Sequence, residues 1–217
     1  MNIIIGTSLL ILVLAIFTLF NYKAPYGTKA MGALASAACA SFLVEAFQDS
    51  FFGKVLGFQF LSEVGGANGS LSGVAAAILV TIAIGVTPGY AVLIGLSVSG
   101  TGIIPGFLAG YLVGFLVKWM ERNIPGGLDL ISIIIIGAPL TRLVAKLLTP
   151  LINSTLLTIG DILTSGAHSN PILMGIILGG TIVVVATAPL SSMALTAMLG
   201  LTGMPMAIGG LSLVRHL

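Results

Sequence analysis

The sequence predicts an all-α, polytopic membrane protein of about seven to eight segments, some of them broken or re-entrant. Two observations lead there. Only 6% of the 217 residues are charged and 57% are hydrophobic, whereas a water-facing domain carries about 25% charged residues. Apolar runs also recur along the whole length, at 3–20, 30–47, 71–86, 90–99, 106–120, 128–148, 171–187 and 190–214. With a mean hydropathy of +1.19, the chain cannot cover an aqueous surface.

The first run, IIIGTSLLILVLAIFTLF, follows no Lys or Arg and ends in no small-residue cleavage site. A retained helix is therefore expected, not a signal peptide. The second run holds Cys39, the single cysteine. It has no companion for a disulfide or a metal and is expected to pack as a small hydrophobe. A full span needs about 17–25 residues. The first, second, sixth and eighth runs reach it, and the third and seventh fall slightly short. The fourth and fifth are too short alone and flank SGTGIIPG at 99–106. They form either two tilted short helices or one broken helix of the kind found at transporter sites.

Lys23 and Lys29 follow the first run, and Lys118 and Arg122 follow the fifth. By the positive-inside rule, both loops are expected to be cytoplasmic and the N-terminus external. Residues 48–70, with Asp49, Lys54 and Glu63, then form an external loop. An even number of crossings lies between Thr87 and Lys118. Arg142 and Lys146 share one helix face at i, i+4 spacing. They either snorkel to the interface or line a polar cavity. The 29 glycines are about twice ordinary usage. Gly106, Gly110 and Gly114 recur at helical spacing, which predicts close helix–helix packing in lipid.

Polar groups inside so apolar a chain mark candidate sites. Glu45 lies with Gln48 and Asp49 at the end of the second run. Asn68 lies in SEVGGANGSLS, read as an irregular loop. His168, Ser169 and Asn170 lie in TSGAHSNP, where Asn170 before Pro171 signals a helix start. Pro189, Ser191 and Ser192 lie in TAPLSS, a break in apolar sequence. Neutral His, Asn and Ser both donate and accept hydrogen bonds, which suits a hydroxyl-rich ligand. Each cluster can equally be a solvated loop or a capped helix end. No metal, cofactor or complete catalytic site is expected. With a net charge of +2 and no dense basic patch, nucleic acid is not an expected partner.

The stretch SGTGIIPGFLAGYLVGFLVKWMERNIPGGLDLISIIIIGAPLTRLV, followed by NPILMGIILGG, resembles the membrane (EIIC) component of phosphoenolpyruvate-dependent sugar phosphotransferase systems. The resemblance is to the fructose-like branch, including a PfoR-type EIIC-like subgroup, and covers residues 99–200. It implies a single EIIC-like domain over 1–217, incomplete at its C-terminus. It further implies a sugar permease, in a multi-pass bacterial cytoplasmic membrane, acting as a homodimer. The sugar would be phosphorylated by a separate EIIB protein served by EIIA, so this chain would supply at most part of a phosphotransferase. That branch carries a G-P-x-N-K-A-A motif. The matching TAPLSSMAL keeps Pro189 and has Ser191 and Ser192 where Asn and Lys stand. An EIIC-like sensor without transport, and a small-solute transporter of another class, are the alternative readings.

Overall fold

The computed structural model describes residues 2–169. Helices follow one another as α1 (Asn2–Lys23), α2 (Gly27–Ala38), two π-helical stretches π1 (Cys39–Leu43) and π2 (Ala46–Val55), α3 (Gln59–Ser70), α4 (Ser72–Ile84), α5 (Pro88–Leu96), α6 (Ile103–Asn123), α7 (Leu128–Ser132), π3 (Ile133–Gly137) and α8 (Ala138–Ser169). No strand occurs among the described residues.

The centre is a parallel pair, α4 and α6, held at backbone contact by glycine. A Cβ on Gly106 would lie 2.8 Å from Gly73 Cα, and one on Gly110 would lie 2.7 Å from Ala77 Cα. One on Gly114 would lie 3.1 Å from Ile84 Cδ1. The near-constant offset between partners sets the two helices parallel and in register. Small residues at every fourth position allow such an approach where lipid offers no hydrophobic drive. Thr81 reinforces the crossing: its hydroxyl donates to Ala77 O at 2.7 Å and lies 3.2 Å from Gly110 O.

Two parallel neighbours in sequence need a return. Gly85 (φ 98°) ends α4 in a left-handed conformation, and Pro88 opens α5, the usual order of helix stop and start. The nine residues of α5 and the turn 97–102 bring the chain back to the level of Gly73. Both short runs flanking SGTGIIPG therefore travel the depth of the bundle, in opposite directions. Arg142 on α8 donates to Ser97 O at 3.2 Å and to Ser99 O. It satisfies carbonyls freed where α5 stops. Lys146, one turn later, is exposed.

The core divides along the bundle. Val86, Ile94, Val113, Val117, Met120 and Ile133 cluster at one level. Val74, Ala77, Val98, Ala109 and Ala145 cluster at the other. The outward faces are apolar as well: Ile134, Ile135, Ile136, Leu143, Leu147 and Leu151 are all exposed. A protein apolar both inside and outside has lipid as its solvent. Among the described residues, two helices are long and apolar enough to cross a membrane, Ile103–Asn123 and Leu128–Ile152, and a third span results if the bent pair α3 and α4 counts as one. The last two apolar runs, and Asn170, Pro189, Ser191 and Ser192, lie outside the described residues.

Two expected loops are helical instead. SEVGGANGSLS belongs largely to α3, because Gly65 faces Asp49 of π2 and Gly69 faces Glu45 just before it at close range, so both act as packing residues, not as turn formers. The segment 164–169 continues α8. Its one glycine, Gly166, costs a helix only about 1 kcal/mol, too little to stop it before Ser169.

The two basic loops meet at one end of the bundle. Lys118 Nζ donates to Tyr26 OH at 3.0 Å and to Ile84 O at 2.5 Å, and it stands 4.4 Å from the Tyr26 ring centroid. Tyr111 OH donates to Pro25 O at 2.7 Å. Cysteines placed singly at Lys23 and Arg122 in a Cys39→Ala background should therefore behave alike. Both are expected to resist a membrane-impermeant thiol reagent in intact cells and to react after permeabilisation. Labelling of either from outside would contradict the charge-based topology.

Candidate substrate-binding site

At the opposite end, the π-helical stretch and α3 form an antiparallel hairpin with a polar seam. Glu45, Asp49 and Gly53 are spaced four apart along one face. Across the seam stand Gly69, Gly65 and Ser62 in that order. A Cβ on Gly65 would lie 2.8 Å from Asp49 Cβ, and one on Gly53 would lie 2.6 Å from Ser62 Cβ. A Cβ on Gly69 would collide with the Glu45 carboxyl, whose Oε1 lies 2.9 Å away. The glycines thus bring the two arms together, and the acids fill the seam.

The acids have different surroundings. Asp49 is fully engaged: Lys54 Nζ pairs with Oδ2 at 2.7 Å and Ser62 Oγ donates to Oδ1.

Glu45 makes no ion pair among the described residues. Its carboxyl rests over Gly69, one residue from Asn68. The Asn68 side-chain amide donates to Val64 O at 2.9 Å, which leaves its carbonyl oxygen for another partner. Gln48, one turn from Glu45, carries a buried side-chain oxygen, Oε1, with no hydrogen-bond partner among the described residues. Two of the sequence-predicted residues, Glu45 and Asn68, are thus brought to one end of one hairpin. His168 and Ser169 lie at the end of α8.

Several polar contacts escaped the sequence reading. Asp129 is buried at 7% exposure and accepts from Tyr90 OH at 2.6 Å and from the amides of Gly127 and Leu130 at 2.8 Å each. Glu121 accepts from the Thr87 hydroxyl and amide. Both carboxylates tie loops together at the basic end. The acid one residue into a helix after PGG was the available signal for Asp129. Nothing local marks Glu121.

The chain matches the family model described as "Phosphotransferase system, EIIC" over residues 28–216. It belongs to that family. Comparisons with curated proteins and with solved structures give no match. As an EIIC protein it is a membrane component of a sugar-transporting phosphotransferase system, a family whose members work with EIIA and EIIB partners on a sugar. All eight sequence-predicted site residues lie within the matched stretch. An EIIC component binds a polyol, and polyols are recognised by directed hydrogen bonds from carboxylates and amides. Glu45 and Asn68, at one end of the hairpin, offer that chemistry.

Proposed function

We propose that the chain is a multi-pass EIIC permease of a bacterial cytoplasmic membrane, of the fructose-like branch and its PfoR-type subgroup. It forms one domain and acts as a homodimer. It accepts a sugar on the side of the π2–α3 hairpin and releases it at the basic end. There a separate EIIB protein, recharged by EIIA, phosphorylates it. The family match over residues 28–216 carries this reading. Glu45 and Asn68 hold sugar hydroxyls, and His168, Ser169 and Asn170, with Pro189, Ser191 and Ser192, complete the path.

Uptake of labelled sugars into vesicles tests it, with and without phosphoenolpyruvate and the soluble phosphocarriers. Phosphorylated sugar inside, appearing only with the full set, is the expected result. The replacement of Asn and Lys by Ser191 and Ser192 favours one second reading, a sugar sensor that keeps the fold without transport. Saturable sugar binding with no uptake under any condition would select it.

A further inference from the structure

The π2–α3 hairpin is built inside out for a loop in water. Its seam is polar, with Asp49, Ser62 and Glu45 turned towards the contact between the arms and the exposed Lys54 pairing with Asp49 from the rim. Its outer faces are mostly aromatic and aliphatic: Phe51 is 50% exposed, Val55 70%, Leu56 51%, Phe58 57% and Phe60 73%, and the exposed polar residues Lys54, Gln59 and Glu63 lie towards the tip. A surface helix in water shows the reverse arrangement, and exposed apolar patches of this kind mark a contact.

The backbone is equally self-sufficient. At the tip, Leu56 N–H donates to Phe51 O at 3.2 Å and Phe58 N–H donates to Phe52 O at 3.1 Å. The turn therefore closes its own amides, as lipid requires. The lengths fit too. Residues 27–55 and 59–84 each hold more than the ~20 helical residues that cross a hydrocarbon core. Without the hairpin arms, the 12 residues of α2 and the 13 of α4 fall short. Taken together, α3 and α4 are long and apolar enough for one span, broken by a bend of 51° between them.

We propose that the π2–α3 hairpin lies within the bilayer, in the leaflet opposite the basic loops, with only its tip at the headgroups. Phe51, Phe58 and Phe60, exposed on the hairpin and without a polar group, turn their rings into the hydrocarbon beside that interface. Lys54, near the tip, reaches the headgroup level while its partner Asp49 stays in the seam. The Glu45 and Gly69 contact then sits below the headgroups, inside the membrane thickness. The inference rests on the family's membrane location and not on the sugar assignment.

Tryptophan quenching in the full-length protein, reconstituted in phosphatidylcholine vesicles, tests it. In a Trp119→Phe background, Phe51→Trp and Phe60→Trp each supply a single reporter. Lipids brominated on the acyl chains should quench both several-fold more than aqueous iodide does. Preferential quenching by iodide would return the hairpin to water and overturn the proposal. Resistance to both quenchers would place protein on this face and overturn it as well. If either tryptophan variant fails to fold, Phe60→Cys in a Cys39→Ala background gives the same decision. It should react with a lipid-soluble maleimide and resist a charged one added from either side, and rapid reaction with the charged reagent would refute the insertion.

Discussion

Gly110→Leu should leave little folded protein. The Cβ alone would lie 2.7 Å from both Ala77 Cα and Ala77 O, and 2.9 Å from Val80 Cγ1. Two of those three atoms are backbone, so no rotamer change relieves the clash, and α4 and α6 must separate. Separation breaks the adjoining contacts at Gly106 and Gly114 and withdraws Thr81 from Gly110 O. Overpacking a tight core costs about 1–3 kcal/mol when side chains can adjust, and here they cannot. Gly110→Ala should already lower thermal stability in detergent, with leucine worse. Leu112→Ala, at a position 54% exposed, should change it by less than about 1 kcal/mol, as surface substitutions do. Equal stability of Gly110→Leu and the parent would remove the α4–α6 crossing from this account.

That crossing was legible because its signal is local: three glycines at helical spacing in an apolar run admit one physical use in lipid. The meeting of the two basic loops at one end of the bundle was legible for a similar reason, since the positive-inside rule groups them without reference to any partner residue. The hairpin was not. Gly65, Gly66 and Gly69 carry the same composition as a turn, and only the presence of Asp49 and Glu45 across from two of them distinguishes packing from breaking. That pairing lies some 15–25 positions away in sequence, and no periodicity in either segment announces it. The Arg142 contact was hidden for the same reason. Its partners are backbone carbonyls at Ser97 and Ser99, and a carbonyl has no letter in a sequence. The family resemblance was legible in the order of motifs from residue 99 onward, and the matched region extends it back to residue 28, over the hairpin whose sequence resembles a loop.

The second large effect concerns transport. Glu45→Gln keeps the size of the side chain and removes its charge. A hydrogen bond to a charged group contributes about 1.5–3 kcal/mol, so sugar affinity in vesicle uptake should fall by about 10- to 150-fold. Folded yield should be unchanged, because Lys54 and Ser62 anchor the seam through Asp49 and not through Glu45. Gly69→Ala provides an independent route to the same outcome. The added methyl would meet the Glu45 carboxyl, the far end of a flexible side chain, so the helix stays in place and the carboxylate swings away. The variant should fold like the parent and lose affinity to a similar degree. If both act by misplacing one carboxylate, the double variant should be no worse than Glu45→Gln alone, whereas independent effects would add. Additive losses would mean that Gly69 acts through the helix contact and not through Glu45. Full uptake in Glu45→Gln would move the sugar away from this hairpin, towards the end of α8.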